Sequence, residues 1–123
     1  MKDQISIILK HYSLPVMMTG KIDACLNRVF KKGSTGIKVK GRDYYDLIWY
    51  MQNKVSLDEE YLKKIKLSQK EIFVALDEQV AQVDSKDLLF DLQPFFASKT
   101  YIHDWCKNFH SFYDRYRELY RKN

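Results

Sequence analysis

Arg42-Asp43-Tyr44-Tyr45-Asp46-Leu47 sets two carboxylates three residues apart beside a cation, and Tyr50 follows four residues later. On a helix this spacing gathers Asp43, Asp46 and Tyr50 on one face, while Leu47, Ile48 and Met51 supply an apolar flank for a core. Upstream, Lys21, Ala24 and Arg28 stand at i, i+3 and i+7, so two cations and a small residue share a helical stripe. Cations grouped in this way suit contact with phosphates, whether of a nucleotide or of a nucleic-acid backbone. The same residues can also serve the fold alone, with Asp43 capping its helix, Asp46 paired with a lysine or arginine, and Arg42 solvated.

The charge distribution bears on that choice. The 123 residues carry a formal charge of +5, and residues 1–41 hold eight Lys or Arg against two Asp, a surplus of six. Residues 42–123 hold thirteen basic and fourteen acidic groups, a balance of minus one. The basic character therefore belongs to the front third, which is either a phosphate-facing surface or a solvated lysine loop.

Leu14-Pro15 ahead of Gly20-Lys21-Ile22-Asp23-Ala24-Cys25-Leu26-Asn27-Arg28, a short basic loop, and then Lys40-Gly41-Arg42-Asp43-Tyr44-Tyr45-Asp46-Leu47-Ile48-Trp49-Tyr50 resembles two motifs of the AbiEii-type nucleotidyltransferases. Proteins of that family are bacterial toxins of abortive-infection and type IV toxin-antitoxin systems. The shared pattern, K-x-x-A-x-x-x-R followed by R-D-x-x-D-L, covers about residues 5–55. The resemblance implies transfer of a nucleoside monophosphate from a triphosphate to an RNA or protein acceptor.

In that scheme Lys21 holds the triphosphate or offsets charge on its leaving group. Asp43 or Asp46 orients the lysine or assists proton transfer from the acceptor. Arg42 braces the carboxylates, Arg28 touches phosphate, and Tyr45 and Trp49 stand by for base contact or packing. Mg2+ and a nucleoside triphosphate are the implied cofactor and substrate of a full-length homologue, and an antitoxin protein is an implied partner.

The chain also departs from the family. There, a nucleotidyltransferase-fold region with a Gly-Ser turn and metal-binding carboxylates precedes these motifs. Gly33-Ser34 is no substitute, because no Asp or Glu follows it until Asp43. The expectation is a C-terminal half, inactive alone and without the catalytic N-terminal region. A different class of function needs only the basic front third: a non-catalytic helical module that binds nucleic acid or an antitoxin.

The size suits one domain with an ordinary core. Cys25 and Cys106 have no partner at metal-ligand spacing and read as buried thiols of a reducing compartment. His103 and His110 are seven apart and His11 is remote, so no metal is assigned to them. No apolar run approaches the ~20 residues that span a bilayer, and no signal-peptide pattern opens the chain. A cytoplasmic location follows as the expectation.

The elements that must position these residues are mainly helical. Ile5-Ser6-Ile7-Ile8-Leu9 is short and β-branched and reads as a strand, with a homodimer through its free edge as one way to satisfy it. Ser13 before Leu14-Pro15 starts a helix to about Phe30, with Met17, Met18, Ile22, Cys25, Leu26 and Val29 inward. A loop from Lys31 to Gly41, extended at Ile37-Lys38-Val39, leads to a helix from Arg42 to Asn53. Ser56-Leu57-Asp58 marks a short helix to about Ile65, and Ser68-Gln69-Lys70-Glu71 is a capping box for a helix ending near Gln82. Ser85 starts a helix over Lys86 to Leu92, which Pro94 closes.

The last helix is expected from Lys99 to Arg121. Its stripe of Trp105, Phe109, Phe112, Tyr113, Tyr116 and Tyr120 follows the 3.6 period of a buried face rather than that of an exposed base-stacking platform. The whole is read as a mainly α, irregular bundle of five to six helices preceded by one short β-strand.

Overall fold

A computed structural model describes residues 13–31 and 40–121, with side chains from 13–27 and 40–121. The described chain forms α1 (Leu14–Lys31), α2 (Gly41–Gln52), α3 (Glu59–Ile65), α4 (Gln69–Ala81), α5 (Ser85–Leu92), a 3-10 turn (Gln93–Phe95), α6 (Lys99–Lys107) and α7 (Phe109–Arg121). Seven α-helices and no strand occur among the described residues, so the expected fold of five to six helices led by a strand is corrected to an all-helical bundle. A strand needs a partner edge for its backbone groups, and no described segment offers one. The stretch Ile5 to Leu9, the dimer suggested for it, and the extended Ile37 to Val39 all lie outside the described residues.

The additional helix comes from a break at Asn108, where the expected single C-terminal helix divides into α6 and α7. Asn108 ends α6 with φ −101° and ψ 7°, and its side-chain amide donates to the Asp104 carbonyl at 2.9 Å. An asparagine that satisfies a local carbonyl in this way competes with helix continuation. The aromatic stripe nevertheless stays in phase across the break. Trp105, Phe109, Tyr113 and Tyr120 are buried, and Phe112 and Tyr116 pack half-buried against them.

Local chemistry accounts for most helix starts. Ser68 and Glu71 form the reciprocal box, with Glu71 N–H donating to Ser68 Oγ at 3.1 Å and Ser68 N–H donating to Glu71 Oε1 at 2.9 Å. Asp58 caps α3 through Tyr61 N–H at 2.9 Å, and Ser98 caps α6 through Tyr101 N–H at 3.1 Å. Asp84, rather than the expected Ser85, caps α5 through Lys86 N–H at 2.7 Å.

Helix α2 is different. Its N-cap residue, Lys40, gives no side-chain bond, and Asp43 lies inside the first turn. The cap comes instead from α5, whose Asp91 Oδ2 accepts from Gly41 N–H at 2.6 Å.

Helix α2 is the centre of the bundle, packed on α1, α5 and α7. Tyr44, Leu47, Ile48 and Met51 turn its apolar side into the core. Met18, Ile22 and Cys25 of α1 meet that core, as do Ile72, Phe73 and Leu76 of α4, Leu88 and Leu92 of α5, and Ile102 and Cys106 of α6. The α1 and α2 faces that carry the candidate site therefore border the main core. No helix among the described residues is long and apolar enough to cross a membrane.

Candidate functional site

Lys21 precedes Ile22, a residue with no exposed surface, so its stem leaves the core at the seam between α1 and α2. One turn into α2, Asp43 faces the same seam, and Asp46 follows on the next step of that face. The ammonium of Lys21 lies 3.1 Å from Asp43 Oδ1 and 3.2 Å from Asp46 Oδ2. The two acids are not equivalent: the side chain of Asp43 is 6% exposed and that of Asp46 51%, with Lys21 at 24% between them. Asp43 also gains from its place in the first turn, where the N-terminal dipole favours negative charge.

Burial by itself would lower the pKa of Lys21. The hydrogen bond that Lys21 donates to Asp43 and the charges of both carboxylates outweigh it, so the lysine titrates above its usual value and stays charged. Beside this triad the surface opens into a hollow of about 280 Å³, lined by Lys21, Lys40, Arg42, Asp43 and Asp46. Three cations and two acids face the space, leaving a formal surplus of one positive charge.

Sequence reasoning placed some of these residues and missed others. Lys21, Asp43 and Asp46, which it grouped from two separate helices, stand together. Arg42 lines the hollow but does not brace the carboxylates as expected; its guanidinium lies over the Phe95 ring, 4.7 Å from the centroid. The backbone of Arg28 belongs to α1, and its side chain is outside the described set.

Tyr45 is held by packing. Its hydroxyl shares a 2.8 Å hydrogen bond with Tyr101, and its ring lies 5.1 Å from Phe96 and 4.8 Å from Trp105. Trp49 is exposed and meets the Tyr50 ring edge-on, away from the residues that line the hollow.

Lys40 is a lining residue that sequence reasoning passed over as one loop lysine among several. Its signal was adjacency to the start of α2. Tyr50, buried on the Asp46 face, borders the ion pair. Burial raises the pKa of its phenol first, the charge of Asp46 adds to that effect, and Lys21 opposes it.

The Mg2+ implied by the resemblance does not fit these residues. The hollow offers two carboxylates already bridged by an ammonium, and no group of three His, Cys, Asp or Glu side chains converges among the described residues. A divalent ion there would have to displace Lys21, so no chemical step is derived through a metal. What the arrangement can do unaided is bind an anion while holding a charged lysine in a fixed direction. Compared with family models, curated proteins and solved structures, the chain matches none of them.

Proposed function

We propose that the hollow between α1 and α2 receives the phosphates of a nucleoside triphosphate. In this reading the chain supplies the C-terminal part of an AbiEii-like nucleotidyltransferase, a toxin that transfers a nucleotide to an RNA or protein acceptor. The observation that supports it is the bridging of Asp43 and Asp46 by Lys21 on the wall of an open hollow that also holds Lys40 and Arg42. Lys21 would offset the charge that grows on the departing pyrophosphate, with the buried Asp43 keeping its ammonium aimed. Asp46, the exposed member, would take the proton from the acceptor. Arg28, Lys40 and Arg42 would add phosphate contacts.

This reading assigns the chain binding and positioning; the metal-binding carboxylates belong to the region that precedes these motifs in the family. The reaction is placed in the cytoplasm, which suits the burial of both cysteines. Titration calorimetry at low salt should show weak binding of nucleoside triphosphate that fades as salt is added and is lost when Lys21→Met is combined with Arg28→Gln. No heat with any of the four nucleoside triphosphates would overturn it. Binding of RNA without binding of any triphosphate would point instead to the non-catalytic module.

A further inference from the structure

Phe95 is 59% exposed even though the Arg42 guanidinium covers part of it. The ring stands on a turn held from several sides. Pro94 stiffens the 3-10 segment, and the Lys99 ammonium ties it by donating to the Gln93 carbonyl at 2.5 Å and the Phe96 carbonyl at 2.9 Å. The neighbouring Phe96 is tucked inward, 5.1 Å from Tyr45 and 5.8 Å from Tyr101.

The turn is also fixed relative to the hollow. Gly41 at the start of α2 abuts the end of α5 so closely that a Cβ on it would stand 2.8 Å from Leu92 Cγ and 3.0 Å from Asp91 Oδ2. Asp91 accepts from the Gly41 N–H, so the segment that precedes the turn is bonded to the helix that carries Arg42, Asp43 and Asp46. Arg42 joins the two features, as a wall of the hollow and as the cation over Phe95.

An exposed aromatic ring joined by an arginine to a hollow that carries a surplus of one positive charge matches one chemistry in particular. Phosphates take the cations, and a flat base takes the ring, because every nucleobase presents a π-face. We infer that Phe95, with Arg42, is the shelf on which the base of a nucleotide stacks while its phosphates occupy the hollow of Lys21, Lys40 and Arg42. The inference rests on the phosphate reading of the hollow and adds the nucleoside half of the ligand. Stacking of this kind tolerates any base, so it gives affinity for nucleosides over bare polyphosphate rather than a choice among bases.

The test compares ATP with inorganic tripolyphosphate on the full chain by titration calorimetry. The wild type should hold ATP about tenfold more tightly than tripolyphosphate, the size expected of one base-aromatic stack. Phe95→Ser should bring the ratio of the two constants close to one, and Phe95→Trp should keep it. Phe95 is exposed, so neither change threatens the fold. A ratio already near one in the wild type, or one untouched by Phe95→Ser, overturns the shelf and leaves the hollow standing. Failure of tripolyphosphate and ATP alike overturns both.

Discussion

Replacing Lys21 by methionine keeps most of the side-chain stem and removes the charge between Asp43 and Asp46. At an effective dielectric near 20, each contact of a little over 3 Å is worth about 5 kcal/mol of gross attraction, most of it offset by the cost of taking the charges out of water. An exposed pair nets about 0–1 kcal/mol, whereas removing one partner of a buried pair costs about 3–5 kcal/mol. The triad spans both cases, with Asp43 6% exposed and Asp46 51% exposed. Lys21→Met should therefore cost about 2 kcal/mol, a fall in Tm of roughly 8 °C for a domain of this size.

Double-mutant cycles in urea should assign most of that coupling to Asp43→Asn and no more than about 0.5 kcal/mol to Asp46→Asn. The pH dependence carries its own sign. The folded-state pKa of Lys21 lies above 10.5, because its two carboxylates outweigh the effect of burial. A raised folded pKa means stabilisation that is complete below the unfolded value and lost as pH climbs through the folded one. The gap between wild type and Lys21→Met should thus be level from pH 7 to pH 9 and narrow beyond about pH 10.5. A gap under about 0.5 kcal/mol at pH 7, stronger coupling to Asp46 than to Asp43, or a gap that widens in alkali would each refute the reasoning.

Two glycines should respond in opposite directions to alanine. A Cβ at Gly20 would meet the Tyr61 ring at an ordinary 3.7 Å, so Gly20→Ala should raise stability by up to ~1 kcal/mol through helix propensity. Gly41→Ala would press on Leu92 and Asp91 and should cost about 1–3 kcal/mol; urea melts of the two variants decide both. Elsewhere, Asp77 accepts from Tyr113 Oη at 2.5 Å and from Arg117 Nε at 2.9 Å, while the Arg117 guanidinium lies 4.5 Å from the Phe73 centroid. The Asp77 side chain is 32% exposed, so Asp77→Ala, which leaves the buried guanidinium without its carboxylate, should cost about 2 kcal/mol, part of it recovered by adding Arg117→Met; a cost below about 0.5 kcal/mol in the same melts would count against the pair.

Local patterns carried most of the helices. The Ser68 and Glu71 box, the Ser13-Leu14-Pro15 start and the aromatic spacing from Trp105 to Tyr120 each act within a few turns of chain, and each matches an element observed. The break at Asn108 was hidden because the stripe runs through it in phase, so periodicity alone gave no sign of a division. The expectation of a leading strand rested on β-branching alone, which expresses a preference but supplies no partner edge, and a partner is not a local property.

What the chain determined by itself was register: which residues of α1 and α2 share a face, and hence that Lys21 belongs to one stripe and Asp43 and Asp46 to another. The 3.6-residue repeat sets this before any packing occurs. Only the tertiary structure decided which stripes meet. Interdigitation of Met18 and Ile22 with the core of α2 brings Lys21 to within 3.2 Å of both acids. The same packing lets Asp91, fifty residues away, cap α2 and turns Arg42 from the carboxylates to Phe95. Contacts between helices depend on how buried side chains fill shared space, and that volume exists only once the bundle has closed.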